Sequence, residues 1–471
     1  MGGWNKVSRN ILLKCAFPLL TLLFSAAVYS ATKTDTTEKT DIATQWDGTV
    51  LGMENPYQHG LLGDMLGIRP ILEDHGFHYR LAYLSQAAYN AAGGYDHNGH
   101  VAYIDQFSLT FNWDLEGLTG IPDAAIDGNI VNRNHNDNLV SKRLADPRVS
   151  YNDLSQESYG GQSITKLGWL SFSRSFMDRR LHWRIGMMNK NEDFDQIIPC
   201  DFQLMSLCGG KSAYSLTWNN WNVHTWGTAF QYALTPGVKL KIGIMEQNPT
   251  ASYRSHAWSW STKGSKGFLL PAEIEWKTFI NNQPGIYNLG ILFTNSHRQD
   301  LSNGKSQSDG LTDPDGYRYY NRTWYMWAGF NQQLTQVAGD PHRGLSLAFS
   351  MGQADQRTTY LQHTSSISLR YRGLFDIRPE DWLGFGVAYL KYSNHYTAAQ
   401  EARNAYYQVD DYGNALYSPV PGHSVNMELY YRFKVTPWLE IQPDLQYWYR
   451  PSGIKETQDA WVTGLKTVVT F

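Results

Sequence analysis

Basic side chains recur at every second position in Arg180, His182 and Arg184, in Lys239 and Lys241, and in Arg370 and Arg372. Acidic ones keep the same phase in Glu273 and Glu275, in Glu428, and in Glu440 and Asp444. A period of two puts such residues on one face of an extended strand. From that face they can hydrogen-bond a hydrated solute, and the mixture of signs argues against a filter for one kind of charge. Catalysis would need an activated nucleophile with its partners, and abundant Ser, His and acidic residues do not establish one. "GYDHNGH" (94–100) reads as a turn, and His135, His256, His297 and His423 fall in expected loops without ligand spacing. "GGKS" (209–212) lacks the full phosphate-loop pattern. These features point away from an enzyme and call for no metal and no cofactor.

Aromatic rings offer a second kind of contact. Trp218, Trp221, Trp258, Trp260 and Tyr253 lie in long polar segments and are candidates to stack on the less polar faces of a neutral polar solute. Cys200 and Cys208 sit in "IIPCDFQLMSLCGG"; in an oxidising envelope they can pair and stiffen the loop, whereas two thiols alone do not complete a structural zinc site.

The elements that carry these residues are strands. "LKTVVTF" (465–471) alternates Leu465, Val469 and Phe471 with Lys466 and Thr470. In 424–434, Val425, Met427, Leu429, Tyr431 and Phe433 alternate with Asn426, Glu428, Tyr430, Arg432 and Lys434. A dry core could not accept the charged face, and water would not accept the apolar one; lipid outside and water inside satisfy both. Fifteen clear runs of this kind lie at 77–91, 101–114, 164–176, 180–188, 226–234, 238–246, 272–280, 286–296, 320–334, 343–351, 363–375, 382–392, 424–434, 438–449 and 461–471. A weaker one at 126–134 brings the count to sixteen, the even number expected when both ends share a rim.

Short turns such as "MDR" (177–179), "TPG" (235–237) and "VTP" (435–437) alternate with long polar segments. The expected fold is therefore all-β, a transmembrane antiparallel barrel with short periplasmic turns and long extracellular loops. Sixteen strands enclose an aqueous lumen, so an inward-folding loop, 134–163 or 189–225, should narrow it. Trp113, Trp183, Trp276, Trp382 and Trp438 stand near strand ends, as interfacial belts require.

Composition agrees. The 471 residues include 17 Trp, 30 Tyr and 19 Phe, which favours strands over disorder, and a formal charge of -3 leaves no basic footprint for nucleic acid. Lys6, Arg9 and Lys14 precede "AFPLLTLLFSAAV", the pattern of a secretory signal over 1–30. Residues 31–75 are read as a periplasmic segment with a short helix or turn in 61–76, and 76–471 as the outer-membrane barrel.

"LLGDMLGIRPILEDHGFHYRLAY" (61–83), "DQFSLTFNWDLEGLTG" (105–120), "LHWRIGMMNKNEDFD" (181–195) and "LEIQPDLQYWYRPSG" (439–453) together resemble the OprB-like carbohydrate-selective porins. The resemblance implies passive diffusion of glucose and related sugars through a barrel set in outer-membrane lipid and lipopolysaccharide. It makes Arg180, Arg184, Lys239 and Lys241 plausible lumen residues, and makes Phe471 part of the signal read by the barrel-insertion machinery. "SITKLGWLSFSRSF" (163–176) departs from the family pattern by lacking an acidic position. A porin for organic or aromatic acids is the alternative, and monomer and homotrimer both fit.

Overall fold

The structure, a computed structural model, describes residues 60–150, 153–156, 163–208, 222–302 and 316–471. They belong to a unit spanning Val50–Phe471. The signal segment 1–30, and 31–59 of the proposed periplasmic segment, lie outside the described residues.

Strand follows strand because the apolar positions repeat at period two and small polar turns interrupt them. The first nine are β1 Phe77–Gly94, β2 Val101–Asp114, β3 Ala124–His135, β4 Ile164–Phe176, β5 Leu181–Met188, β6 Thr225–Thr235, β7 Val238–Glu246, β8 Phe268–Ile280 and β9 Gln283–Thr294. A two-residue pair, β10 Arg298–Gln299 and β11 Tyr319–Tyr320, forms a small separate ribbon. There follow β12 Thr323–Gln333, β13 Gly344–Ala354, β14 Leu361–Arg372, β15 Trp382–Tyr392, β16 His423–Thr436, β17 Leu439–Tyr449 and β18 Gln458–Thr470. Sixteen of them, all but β10 and β11, pair antiparallel into one closed barrel. Closure is made by β1 against β18, from Ala82 opposite Thr470 to Gly94 opposite Gln458. No sheet edge is left open at this seam.

The weak sixteenth strand is β3. Its outward Gly128 lies under the Phe111 ring, where a Cβ would meet Phe111 Cζ at 2.3 Å. The ring from β2 covers the apolar position that β3 itself lacks, which explains its faint alternation. Between β8 and β9, Asn281 and Asn282 have φ of 50° and 62°. Two consecutive left-handed residues are what a tight two-residue hairpin demands, and Asn tolerates them.

Alternation in burial follows the chemistry. Leu429, Phe433, Leu445 and Leu465 point outward and are 47, 40, 40 and 45% exposed, while inward Glu428 and Gln446 are fully buried. The interior is filled by loop as well as wall: Phe202, Leu204 and Leu207 cluster with Tyr430, Trp448 and Ala388. Trp382 belongs to the same inward cluster, so it is not part of an outer aromatic belt.

Helices are few. Ile68–Asp74 falls within the segment expected to hold a helix or turn. Asn394–Tyr407 occupies a stretch read only as a long loop, and Ser393 caps it by accepting from the His395 and Tyr396 amides. Among the described residues no helix is long and apolar enough to cross a membrane.

Candidate functional site: a loop seated in the barrel lumen

The segment 189–208 leaves β5 and enters the barrel, and its carboxylates meet a basic wall. Asp193 accepts from Arg184 Nη1 at 3.1 Å. The Asp195 amide donates to Glu273 Oε2 at 2.8 Å, on β8. Asp201 then bridges two strands, accepting from Arg370 on β14 at 3.0 Å and from Arg432 on β16 at 2.8 Å. Gln442 donates to the Asp201 carbonyl at 3.0 Å. Two residues on, Glu428 accepts both the Gln203 and Leu204 amides, at 2.8 and 2.6 Å. These contacts satisfy backbone groups that an irregular buried segment would otherwise leave unpaired.

The same segment is braced by packing. Leu207 and Phe202 press on the wall at Gly386 of β15, where a Cβ would lie 2.7 Å from Leu207 Cδ1. Only glycine leaves that space. A disulfide joins Cys200 to Cys208, with Cα atoms 4.2 Å apart, and so brackets Asp201, Gln203 and Leu204 in one small ring. A second inward segment meets the first: Met205 donates its amide to the Leu154 carbonyl at 2.9 Å. From there Asp153 accepts from Asn426, Ser155 accepts from Gln446, and Gln156 donates to the Gln86 carbonyl, at 2.7, 2.9 and 2.6 Å. Residues 153–156 of the first segment singled out for narrowing and 193–208 of the second thus reach the inner wall.

Burial acts on the acids of these segments in two ways. It pushes Asp195 up to about 6 against the opposing pull of Lys190, and pushes Asp153 up to about 6 as well. At Asp201 burial also works upward, but Arg432 and Arg370 overcome it and hold the carboxyl below its usual range.

The residues singled out from sequence fall into four groups. Arg184, Lys241, Glu273, Glu275, Arg370 and Glu428 face inward but are buried in ion pairs or loop contacts, with Lys241 Nζ 2.8 and 2.6 Å from Glu273 and Glu275. His182, Lys239, Arg372, Glu440 and Asp444 also face inward. His182 lies 3.2 Å from Ser175 Oγ, Arg372 lies over the Trp382 ring, and Glu440 accepts from Lys434 at 2.8 Å. Arg180 is different: it sits exposed in the turn after β4, its guanidinium 5.3 Å from the Tyr232 ring centroid. Met177, Asp178 and Arg179 all take positive φ there, so the strand starts only at Leu181 and Arg180 belongs to the rim.

The aromatic candidates form the last group. Trp260 packs 5.9 Å from Trp226, an outward residue of β6, and Trp258 donates to the Thr165 carbonyl at 3.0 Å. Trp260 therefore lies on the outer side of the rim, whereas Tyr253 lines a small cavity with Lys166, Asn222 and His224. Trp218 and Trp221 lie outside the described residues. Asp201, Asp193, Arg432 and Gln442 were missed as site residues. The run of acids in "NEDFDQIIPCD" (191–201), facing basic strands elsewhere, was the available signal.

At the seam, the Phe471 amide donates to the Leu81 carbonyl at 2.9 Å and its ring lies 5.4 Å from Phe107. Arg69 Nη2 donates to the Phe471 carbonyl at 2.9 Å.

A family model described as "Carbohydrate-selective porin, OprB family" matches residues 99–471. Porin B of Pseudomonas aeruginosa is 33% identical over 423 residues, covering 88% of this chain and 92% of that protein. Putative porin QuiX of Acinetobacter baylyi is 32% identical over 422 residues, covering 87% and 93%. The high-pH structure of Pseudomonas putida OprB superposes with a TM-score of 0.85 at 32% identity, covering 89% of this chain and all of that one. With a closed sixteen-strand barrel, short turns on one rim and long loops on the other, the molecule is an outer-membrane β-barrel. The chain belongs to the OprB family of carbohydrate-selective porins, and its architecture is that of a channel.

Proposed function

We propose that the barrel passes glucose and related small neutral carbohydrates by passive diffusion. The observation that carries this reading is the pairing of charge in the lumen. Lys241 is matched by Glu273 and Glu275, Arg184 by Asp193, Arg370 and Arg432 by Asp201, and Lys434 by Glu440. A wall whose ions neutralise one another offers no single-sign ring to an ionic solute, yet keeps many donors and acceptors for hydroxyls. The narrowing segment sets the free width, so the residues that seat it govern passage even where they touch no solute. Lys239, His182 and Arg372, on the short-turn side, are the wall residues assigned to solute contact. Residues 1–30 serve as the export signal in this reading.

Liposome swelling tests the proposal. Vesicles carrying folded protein should swell faster in glucose than in an organic acid of similar size. Faster swelling in the acid would transfer the assignment to organic acids.

A further inference from the structure

The connection between β7 and β8, residues 247–267, stands on the long-loop, extracellular rim. Its Trp260 packs on outward-facing Trp226, whose indole N–H donates to the Trp260 carbonyl at 2.9 Å. Arg254 and Trp258 reach the neighbouring strand end, donating to the Ser163 and Thr165 carbonyls at 3.1 and 3.0 Å. Tyr253, Trp258 and Trp260 nevertheless keep 57, 51 and 53% of their surface exposed, although the loop that carries them is held by these hydrogen bonds. Rings fixed and exposed at the outer rim have the amphipathic character that favours the boundary between acyl chains and headgroups.

The charge of the same loop is one-sided. Residues 247–267 contain Arg254, His256, Lys263 and Lys266 and no Asp or Glu. Arg254, Lys263 and Lys266 are exposed, and among the described residues no carboxylate pairs with them. The adjacent acid, Glu246, is occupied by the Asn248 side-chain amide at 3.1 Å and the Trp226 backbone amide at 3.4 Å. Exposed rings beside unpaired cations complement a ligand that has both acyl chains and phosphates. A small sugar in transit has neither, and Trp260 packs on the outward face of the wall at Trp226.

We infer that the 247–267 loop is a binding site for a phosphorylated acyl-glycolipid of the outer leaflet, with Trp258 and Trp260 at the acyl boundary and Arg254, Lys263 and Lys266 on the phosphates. Occupancy would fix the loop against the rim and anchor this side of the barrel in the outer leaflet.

Native mass spectrometry of the detergent-solubilised full-length protein tests this by titration with bisphosphorylated lipid A. Parallel titrations use dephosphorylated lipid A, phosphatidylcholine and inorganic phosphate. The site predicts that Arg254→Gln/Lys263→Gln/Lys266→Gln weakens lipid A binding at least tenfold, that Trp258→Ala/Trp260→Ala also weakens it, and that removing the phosphates abolishes the difference between wild type and the triple variant. Both variants lie in a surface loop and should keep wild-type conductance, which checks that the barrel is intact. Equal lipid A affinity in wild type and the triple variant would overturn the assignment. So would equal binding of phosphatidylcholine, or displacement of lipid A by millimolar inorganic phosphate.

Discussion

Replacing Asp201 with asparagine removes the one carboxylate that bridges Arg370 and Arg432 while keeping its shape. Both contacts are short, at 3.0 and 2.8 Å, and Arg370 is almost wholly buried. Removing one partner from a buried ionic network costs about 3–5 kcal/mol, and the amide oxygen can recover part of one hydrogen bond, so about 3 kcal/mol is the working figure. At about 1.4 kcal/mol per factor of ten, the ratio of seated to unseated segment should fall on the order of a hundredfold. The barrel itself should persist, because its strands pair with one another around a closed ring. Single-channel recording in a planar bilayer with a salt gradient reads both consequences. Asp201→Asn should add current fluctuations, and its reversal potential should move toward anions, since Arg370 and Arg432 lose the carboxylate they share and Arg432 keeps, among the described residues, only Glu440, at 3.9 Å. A variant as quiet as wild type, with the same reversal potential, would refute the seating role assigned to Asp201.

Reduction or Cys200→Ser/Cys208→Ser should loosen the same tip by about 2–3 kcal/mol for so short a ring; channel noise should rise in both cases, and unchanged noise would remove the bracket from the account. Acidification should act in the opposite direction. Asp195, facing Lys190, Glu273 and Asn288, and Asp153, facing Asn426 and Ser206, have folded pKa values raised to about 6, so between about 4 and 6 the folded protein holds more protons than the unfolded chain. Their stabilising contribution is therefore full at the acid end and is lost as pH rises through 6, while Asp201, held low, withdraws its own contribution only in stronger acid. Hydrogen exchange at 193–204, corrected for intrinsic rate, should report less opening at pH 5 than at pH 7; more opening would contradict the signs. Phe471→Ala should lower the yield of inserted barrel, read by heat-modifiable gel mobility, and leave the conductance of each inserted pore unchanged; a normal yield would detach Phe471 from assembly.

What the chain reveals locally is its sheet. Inward Glu428, Arg432, Glu440 and Asp444 could be phased from their neighbours because strand periodicity is a short-range property. β3 was legible only through the need for an even count, since Gly128 yields its outward place to Phe111. Arg180 shows where phase fails: its register is inward, but a turn with three positive φ values ends the strand before it. The seated segment could not be read at all in its detail. Asp201 meets Arg370 and Arg432 across separations of 169 and 231 residues, and no local pattern encodes which carboxylate finds which guanidinium. The rim aromatics illustrate a related limit: Trp258 and Trp260 are the right residue type for a sugar, but only the contact with Trp226 shows that Trp260 lies on the outer side.

Neutral sugars that enter and traverse this lumen must displace ions from it, so the single-channel ion current as sugar is added reads their passage most directly. Glucose or a maltooligosaccharide should reduce the current in a concentration-dependent way by occupying the narrowed lumen, with organic acids of similar size having a weaker effect. A current indifferent to sugar but blocked by an organic acid would contradict the account.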